Sequence, residues 1–112
     1  MTDPKSFIGM RVKVTIDRQL GTKHPEFDWK YPINYGFIPD TISGDGKELD
    51  AYILGIDVPL KSFEGTCIAI ALREDNDDPK LVIVPKGTTM SDEEIIEAIH
   101  FQEQWFKTII KR

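Results

Sequence analysis

Two short acidic stretches carry the residues with the clearest chemical potential. The first, "SGDGKELDAY", places Asp45, Glu48 and Asp50 on a glycine-rich turn. The second is "REDNDDPK", and its acids are Glu74, Asp75, Asp77 and Asp78. Each stretch directly precedes a segment with the composition of a strand. If those strands are near one another in one sheet, both turns open at the same end of it and their carboxylates converge.

Convergence of carboxylates requires a compensating charge. Two of them about 4 Å apart repel by about 4 kcal/mol at an effective dielectric near 20. Such a group persists when a cation holds it or when one member keeps a proton. Oxygen ligands without Cys and with few His select a hard cation, which predicts Mg²⁺, with Mn²⁺ as the second choice. Lys47 and Lys80 lie within two positions of these acids, an arrangement that suits a metal–phosphate site and surface ion pairs equally well.

An aromatic segment, "KYPINYGFIP", lies between these turns and the start of the chain. Tyr31 and Tyr35 are candidate hydroxyl donors to a phosphate. The alternative is that aromatic residues flanked by prolines cap the core. The residues by themselves favour this second interpretation.

Short strands and one final helix must position these groups. Alternation and composition predict strands at 11–17, 33–38, 50–56, 65–73 and 80–85. A long loop at 18–32 separates the first two. Ser91 and Glu94 form a capping box, and the helical spacing of apolar residues that follows continues to Ile110. This order predicts a mainly β (α+β) domain, a small antiparallel barrel or strongly curved sheet with a helix packed on it.

Composition limits the function classes. The 112 residues fit one domain, 1–112, with a net charge of −5 and no basic stripe, which argues against nucleic acid as a partner. No apolar stretch approaches the 18 or so residues of a membrane span. Cys67, the one cysteine, lies in an apolar run and is expected to be a buried, inert thiol in a reducing, cytoplasmic setting. A homo-oligomer is compatible with these features.

The segment "YPINYGFIPDTISGDGKELDAY", residues 31–52, resembles the central signature of the soluble inorganic pyrophosphatases of the Mg²⁺-dependent, barrel-forming type. "DDPKLVIVP", residues 77–85, resembles the second acidic motif of that family. The resemblance implies a five-stranded OB-like barrel with a packed C-terminal helix. It also implies hydrolysis of pyrophosphate to two phosphates, with several Mg²⁺ ions bound to both phosphoryl groups.

The family motifs can be carried over position by position. The resemblance implies four metal-ligand aspartates: Asp45, Asp50, Asp75 and Asp78. The implied catalytic group is Asp45, Asp50 and Tyr35. The implied substrate-binding residues are Lys80, Tyr31 and Lys23. Three further candidates lie where the chain departs from the pattern: Lys47 as a fixed cation, Arg18 as a substitute for a substrate arginine on a segment that this chain lacks, and Lys107 of the final helix.

The chain also departs from the family pattern. Lys47 occupies the place of the middle acid of the signature, and an ammonium does not ligate Mg²⁺. Glu48 does not simply replace that acid, because neighbouring side chains of an extended segment face opposite ways. Trp105 stands where the helix of the family has a tyrosine, and Lys107 is displaced by one or two positions.

These departures leave three function classes. The first is a short, weak pyrophosphatase. In it, Lys47 either impairs catalysis or acts as a fixed cation that binds substrate phosphate. The second is a non-catalytic or altered metal- or phosphate-binding domain. The third, a single-stranded nucleic-acid module, is disfavoured by the negative net charge.

Overall fold

The computed structural model describes residues 2–44, 46–74 and 78–112. Their elements are a 3-10 helix (Pro4–Phe7), β1 (Arg11–Arg18), β2 (Asn34–Ile38), β3 (Leu49–Ile53), β4 (Ser62–Arg73), β5 (Lys80–Val84), α1 (Asp92–Glu103) and β6 (Thr108–Lys111). No helix within this described part is long and apolar enough to cross a membrane.

The strands form a closed barrel. The sheet order is β1-β2-β3-β5-β4-β6, and an additional pairing of β1 with β4 closes the first five strands on themselves. The predicted mainly β fold, a five-stranded barrel with one helix packed on it, is thereby confirmed. Only the β3–β5 pair departs from the antiparallel expectation. The chain reverses direction into β4 and again into β5, and these two reversals leave β5 parallel to β3.

Alternation along the strands divides the core in two. Leu49, Ile53 and Leu81 point into the barrel with the other residues of its interior. Tyr52 and Val82 are each one position away from an inward-facing residue, so they lie on the opposite face of their strands. They belong to a second cluster under α1. Because side chains alternate with period two, residues in phase with Tyr52 and Val82 lie on the outer face that α1 covers.

The start of the helix is predicted correctly and its end is not. Ser91 and Glu94 form the expected capping box. The predicted continuation of helical structure to Ile110 is wrong, because α1 ends at Glu103 and Thr108–Lys111 pairs with the free edge of β4. Ile109 and Ile110 are β-branched and lose less side-chain freedom in a strand than in a helix, and the edge of β4 gives that strand a partner.

Candidate active site

Lys80 and the two acidic turns meet on the outer face of the barrel. Asp50 and Lys80 are register partners at the starts of the parallel strands β3 and β5. The ammonium of Lys80 donates to Oδ2 of Asp50 at 3.0 Å and to Oδ2 of Asp78 at 3.1 Å. Its side chain is only 3% exposed, whereas the two carboxylates are about one-third exposed. The expected convergence of the two turns therefore occurs for these two acids, around a buried positive charge.

Tyr35 contributes a buried phenol to the same face. It is the register partner of Tyr52 on the neighbouring strand β3, and Lys80 lies 5.6 Å from the centre of its ring. Burial raises the pKa of Tyr35 far above its ordinary value, and the charge of Asp50 together with a hydrogen bond to Asp50 acts in the same direction. The hydroxyl therefore keeps its proton and serves as a donor to an oxygen atom.

A β-bulge brings Arg18 to this face. The register between β1 and β2 shifts between Ile16 and Arg18, so that Arg18 pairs with Tyr35. An extra residue in one strand re-aims the side chains that follow it. Arg18 lies within hydrogen-bonding reach of the hydroxyl of Tyr31, whose pKa is raised mainly by burial. Tyr31 is thus both a core residue and a neighbour of the charged groups.

Asp17, on the same bulge, is an acid near enough to Asp50 and Glu48 to be affected by their charges, and the sequence interpretation did not single it out. Burial raises its pKa, the adjacent charge of Arg18 lowers it, and the negative charges of Asp50 and Glu48 raise it further. Its alternating strand position made it resemble an ordinary exposed acid. Asp17 is the residue at which the register between β1 and β2 shifts.

A buried ionic network adjoins Asp78 and was also missed. Arg73, at the end of β4, donates from Nη1 to Oδ2 of Asp78 at 3.1 Å. It also forms two hydrogen bonds to Glu103, at 2.9 and 2.8 Å. The sequence held a signal for this network, since Glu103 continues the four-residue spacing of Ile95 and Ile99 along the buried face of α1. An acid in a buried stripe requires a partner cation.

The other predicted lysines lie in more exposed places. Lys23 is mostly exposed and forms an ion pair with Asp28 at 3.5 Å. Lys107 is likewise mostly exposed and pairs with Glu74 at 3.3 Å. Lys47 has an exposed side chain on the turn after Gly44, and its carbonyl accepts a hydrogen bond from the Ser43 amide at 2.7 Å.

Two of the four predicted metal ligands, Asp45 and Asp75, lie outside the described residues. Within residues 2–44, 46–74 and 78–112, no group of three or more Asp, Glu, His or Cys side chains is arranged to hold a metal ion. Asp50 and Asp78 nevertheless fit a hard cation in part. They offer carboxylate oxygens, the ligands that such ions prefer, while the ammonium of Lys80 already compensates part of their charge.

These features define a closed-barrel protein with a cluster of acids, a lysine and tyrosines on the face covered by its helix. The chain belongs to the inorganic pyrophosphatase family, because the model of that family matches residues 8–111. Proteins of this family are metal dependent.

Individual relatives agree with this assignment. An inorganic pyrophosphatase of Mesorhizobium japonicum is 32% identical over 85% of this chain and 59% of its own length. One from Saccharolobus solfataricus is 36% identical over 68% of this chain and 44% of its own length. The chain therefore spans only about half the length of these curated relatives.

The solved structures support the fold. An inorganic pyrophosphatase from Ehrlichia chaffeensis superimposes with a TM-score of 0.71 at 18% identity, covering 93% of this chain and 86% of that one. The enzyme from Thermus thermophilus gives a TM-score of 0.66 at 20% identity, covering 91% and 80%. At such low identity the similarity establishes the shared barrel and not the chemistry.

Proposed function

We propose that this chain hydrolyses inorganic pyrophosphate to two phosphates with the help of Mg²⁺, or of Mn²⁺ as the second choice. The observation that carries the proposal is the meeting of Asp50, Asp78 and Lys80, from separate segments of a pyrophosphatase-family chain, beside the hydroxyl of Tyr35. In the reaction, water adds to one phosphorus atom, the bridging P–O bond breaks and the second phosphate leaves.

The cation is proposed to lie against the carboxylates of Asp50 and Asp78. Asp45 and Asp75 are the further proposed ligands. A bound divalent ion would supply a water of lowered pKa and would neutralise charge on the phosphate oxygens.

Lys80 is the proposed main contact for substrate phosphate. An ammonium has three N–H donors, and Lys80 uses two of them on Asp50 and Asp78. The third remains for a phosphate oxygen. Because the Lys80 side chain is almost wholly buried, only a phosphate that lies close to Asp50 and Asp78 can contact its ammonium.

Arg18, Tyr31 and Tyr35 are further proposed contacts for substrate phosphate on this face, Tyr35 by turning its O–H from Asp50 to the phosphate. The guanidinium of Arg18 is suited to paired phosphate oxygens, and the two phenols stay protonated because burial raises both pKa values. Lys23 and Lys107 remain proposed substrate contacts. Since both are solvated and paired with acids, we expect each to contribute less than Lys80.

A second candidate is an altered domain that binds metal or phosphate without turnover. Lys47 is the observation that favours it, because an ammonium replaces a carboxylate in the acidic signature and repels a divalent ion. Under this alternative the chain binds Mn²⁺ or phosphate weakly and releases no product.

The proposal is tested by phosphate release from pyrophosphate with Mg²⁺, with Mn²⁺ and with no added metal. We expect release that depends on metal and that is lost in Asp50→Asn, which keeps the shape of the side chain and removes its charge. Asp57→Asn is the matched control, because Asp57 is an exposed acid on the turn after β3. Absence of release with either metal from the folded protein would overturn the proposed hydrolysis, and binding of Mn²⁺ or phosphate by that protein would then establish the altered-domain alternative.

A further inference from the structure

The side chain of Arg73 is buried and is fixed by contacts on several sides. This side chain is 7% exposed, and its guanidinium lies 3.7 Å from the centre of the Phe106 ring. Nε and Nη2 donate to the two oxygens of Glu103, the bidentate geometry in which arginine binds a carboxylate most strongly. Nη1 is then directed at Asp78. The guanidinium therefore has little rotational freedom.

Glu103 is equally constrained. Its Oε1 accepts from Nε of Arg73 and from the hydroxyl of Thr108 at 2.7 Å. Its Oε2 accepts from Nη2 of Arg73 and from the hydroxyl of Tyr52. Each carboxylate oxygen thus has two donors, which is close to its full capacity. With 5% exposure, this carboxylate gains little from any other rotamer.

Four elements are joined by this network, and Arg73 itself ends β4. Glu103 ends α1, Thr108 begins β6 and Tyr52 lies within β3, two residues after Asp50. Among the described residues, the network reaches the candidate cation site through the hydrogen bond from Nη1 of Arg73 to Oδ2 of Asp78. Lys80 donates to that same oxygen. In the described residues the hydrogen bonds to the Asp78 carboxylate fall on Oδ2, which would leave Oδ1 for a cation in the proposed site.

A gain in folding stability alone is a weak explanation for the buried ion pair of Arg73 and Glu103. Replacing a buried ion pair by apolar residues of similar volume is often neutral or stabilising, because desolvation offsets much of the attraction. A fixed orientation of Asp78 is a benefit that apolar replacements do not provide. Removing a residue that hydrogen-bonds to a metal ligand typically lowers metal affinity or activity by about 10–100-fold.

We infer that Arg73 is a positioning residue for Asp78 and that Glu103 acts through it, so that the α1–β6 junction sets the geometry of the cation site. The inference rests on the proposed function for the identity of that site. Arg73 is not placed in contact with substrate. Its contribution is the orientation of one carboxylate.

The test measures Mn²⁺ binding by calorimetry on the whole chain without pyrophosphate, for Arg73→Lys, Arg73→Met and Glu103→Gln. We expect the dissociation constant to rise about 10–100-fold in Arg73→Met and less in Arg73→Lys, which keeps the charge. Arg11→Met is the matched control, because Arg11 pairs with Glu64 on the exposed face of β1 and β4. Its Mn²⁺ affinity is expected to stay at the wild-type value.

A double-mutant comparison separates positioning from general destabilisation. In the Asp78→Asn background, Arg73→Lys should have little further effect on Mn²⁺ affinity, because the group that it orients has already lost its charge. Equal and independent losses from the two changes would overturn the inference. Should Arg73→Met fail to fold, Arg73→Lys and Glu103→Gln carry the same comparison.

The failures of the inference and of the proposed function give different results. If the wild-type chain binds Mn²⁺ and releases phosphate while the folded Arg73 and Glu103 variants bind Mn²⁺ equally well, the inference is wrong and the proposed function stands. If the wild-type chain binds no Mn²⁺ and releases no phosphate, the proposed function falls and the inference falls with it.

Discussion

Asp50 and Lys80 lie side by side on the parallel strands β3 and β5, and their carboxylate and ammonium are 3.0 Å apart. The same ammonium contacts Asp78 at 3.1 Å. The Lys80 side chain is 3% exposed, and the two negative groups compensate for the hydration that its ammonium loses on burial. This arrangement makes the acids and the lysine interdependent, which leads to the first prediction.

Lys80→Met should weaken both function and folding. Without the ammonium, Asp50 and Asp78 lose the cation that they share, although Asp78 keeps its hydrogen bond from Arg73. A donor to substrate phosphate is also missing. We expect phosphate release to fall by about 10²-fold or more and the melting temperature to drop. Added Mg²⁺ or Mn²⁺ should raise the melting temperature of Lys80→Met more than that of the wild type, because the ion takes over the compensating charge.

The control for this prediction is Lys86→Met, because Lys86 is an exposed lysine just after β5. Its activity and its response to metal should match those of the wild type. A Lys80→Met protein with wild-type turnover would show that the ammonium serves the fold alone.

Lys47 gives the second prediction. Replacing it by Asp removes a charge that repels divalent ions and adds a metal-ligand oxygen at the position where the family has an acid. We therefore expect Lys47→Asp to bind Mn²⁺ more tightly and to release phosphate faster, and Lys47→Met to show an intermediate effect. Calorimetry and the phosphate-release assay measure the two quantities. A fall in rate in both variants would instead identify Lys47 as a clamp for substrate phosphate.

Local sequence rules predicted most of the fold. The alternation in β1 and the capping box at Ser91 and Glu94 each depend on neighbouring residues, and both are present in the structure. The end of the helix was not predictable in this way. The strand at Thr108–Lys111 forms because β4 offers a free edge. Where that edge lies depends on how all the strands of the barrel pair, which local sequence rules do not describe.

The candidate site shows the same division. Asp50, Asp78 and Lys80 carry a motif and could be named from the sequence. Asp17 could not, because an acid at the polar position of an alternating strand has an ordinary surface interpretation. For Arg73 the sequence held only the indirect signal of Glu103, an acid in a buried stripe that requires a cation but does not identify it. The involvement of Arg73 depends on the packing of Glu103 under α1, and Asp17 lies at the register shift between β1 and β2.

Gly36 is required by the close approach of β1 and β2. A Cβ atom at this position would lie 2.0 Å from the carbonyl oxygen of Thr15, so Gly36→Ala forces the two strands apart. We expect a loss of about 1–3 kcal/mol or more in the free energy of unfolding. Gly87→Ala is the comparison, because no atom lies within 4 Å of its added Cβ and its cost arises only from a positive φ of 84°. Urea unfolding of both variants measures the difference, and equal losses would contradict the steric argument.

Cys67 is expected to be chemically inert in the folded chain. It is fully buried inside the barrel, and this burial raises the pKa of its thiol to about 11. Since the thiolate is the reactive form, iodoacetamide at about pH 8 should label the native protein very slowly. The same protein unfolded in guanidinium should be labelled quickly. Rapid labelling under native conditions would show that the barrel opens near β4.

Glu103 should make part of the stability dependent on pH. Burial by itself would raise the pKa of Glu103, but the hydrogen bonds from Arg73, Tyr52 and Thr108, with the charge of Arg73, outweigh it and leave the pKa below the ordinary value of 4.5. A carboxyl whose pKa is lower in the folded state adds stability above its unfolded pKa, and this contribution is lost as the pH falls through the folded value. Glu103→Gln has no such group. The difference in unfolding free energy between the wild type and Glu103→Gln should therefore be largest near neutral pH and should shrink as the pH falls below 4.5. Chemical denaturation across this pH range measures the difference, and a constant value would mean that the carboxylate is not held in its charged form by Arg73.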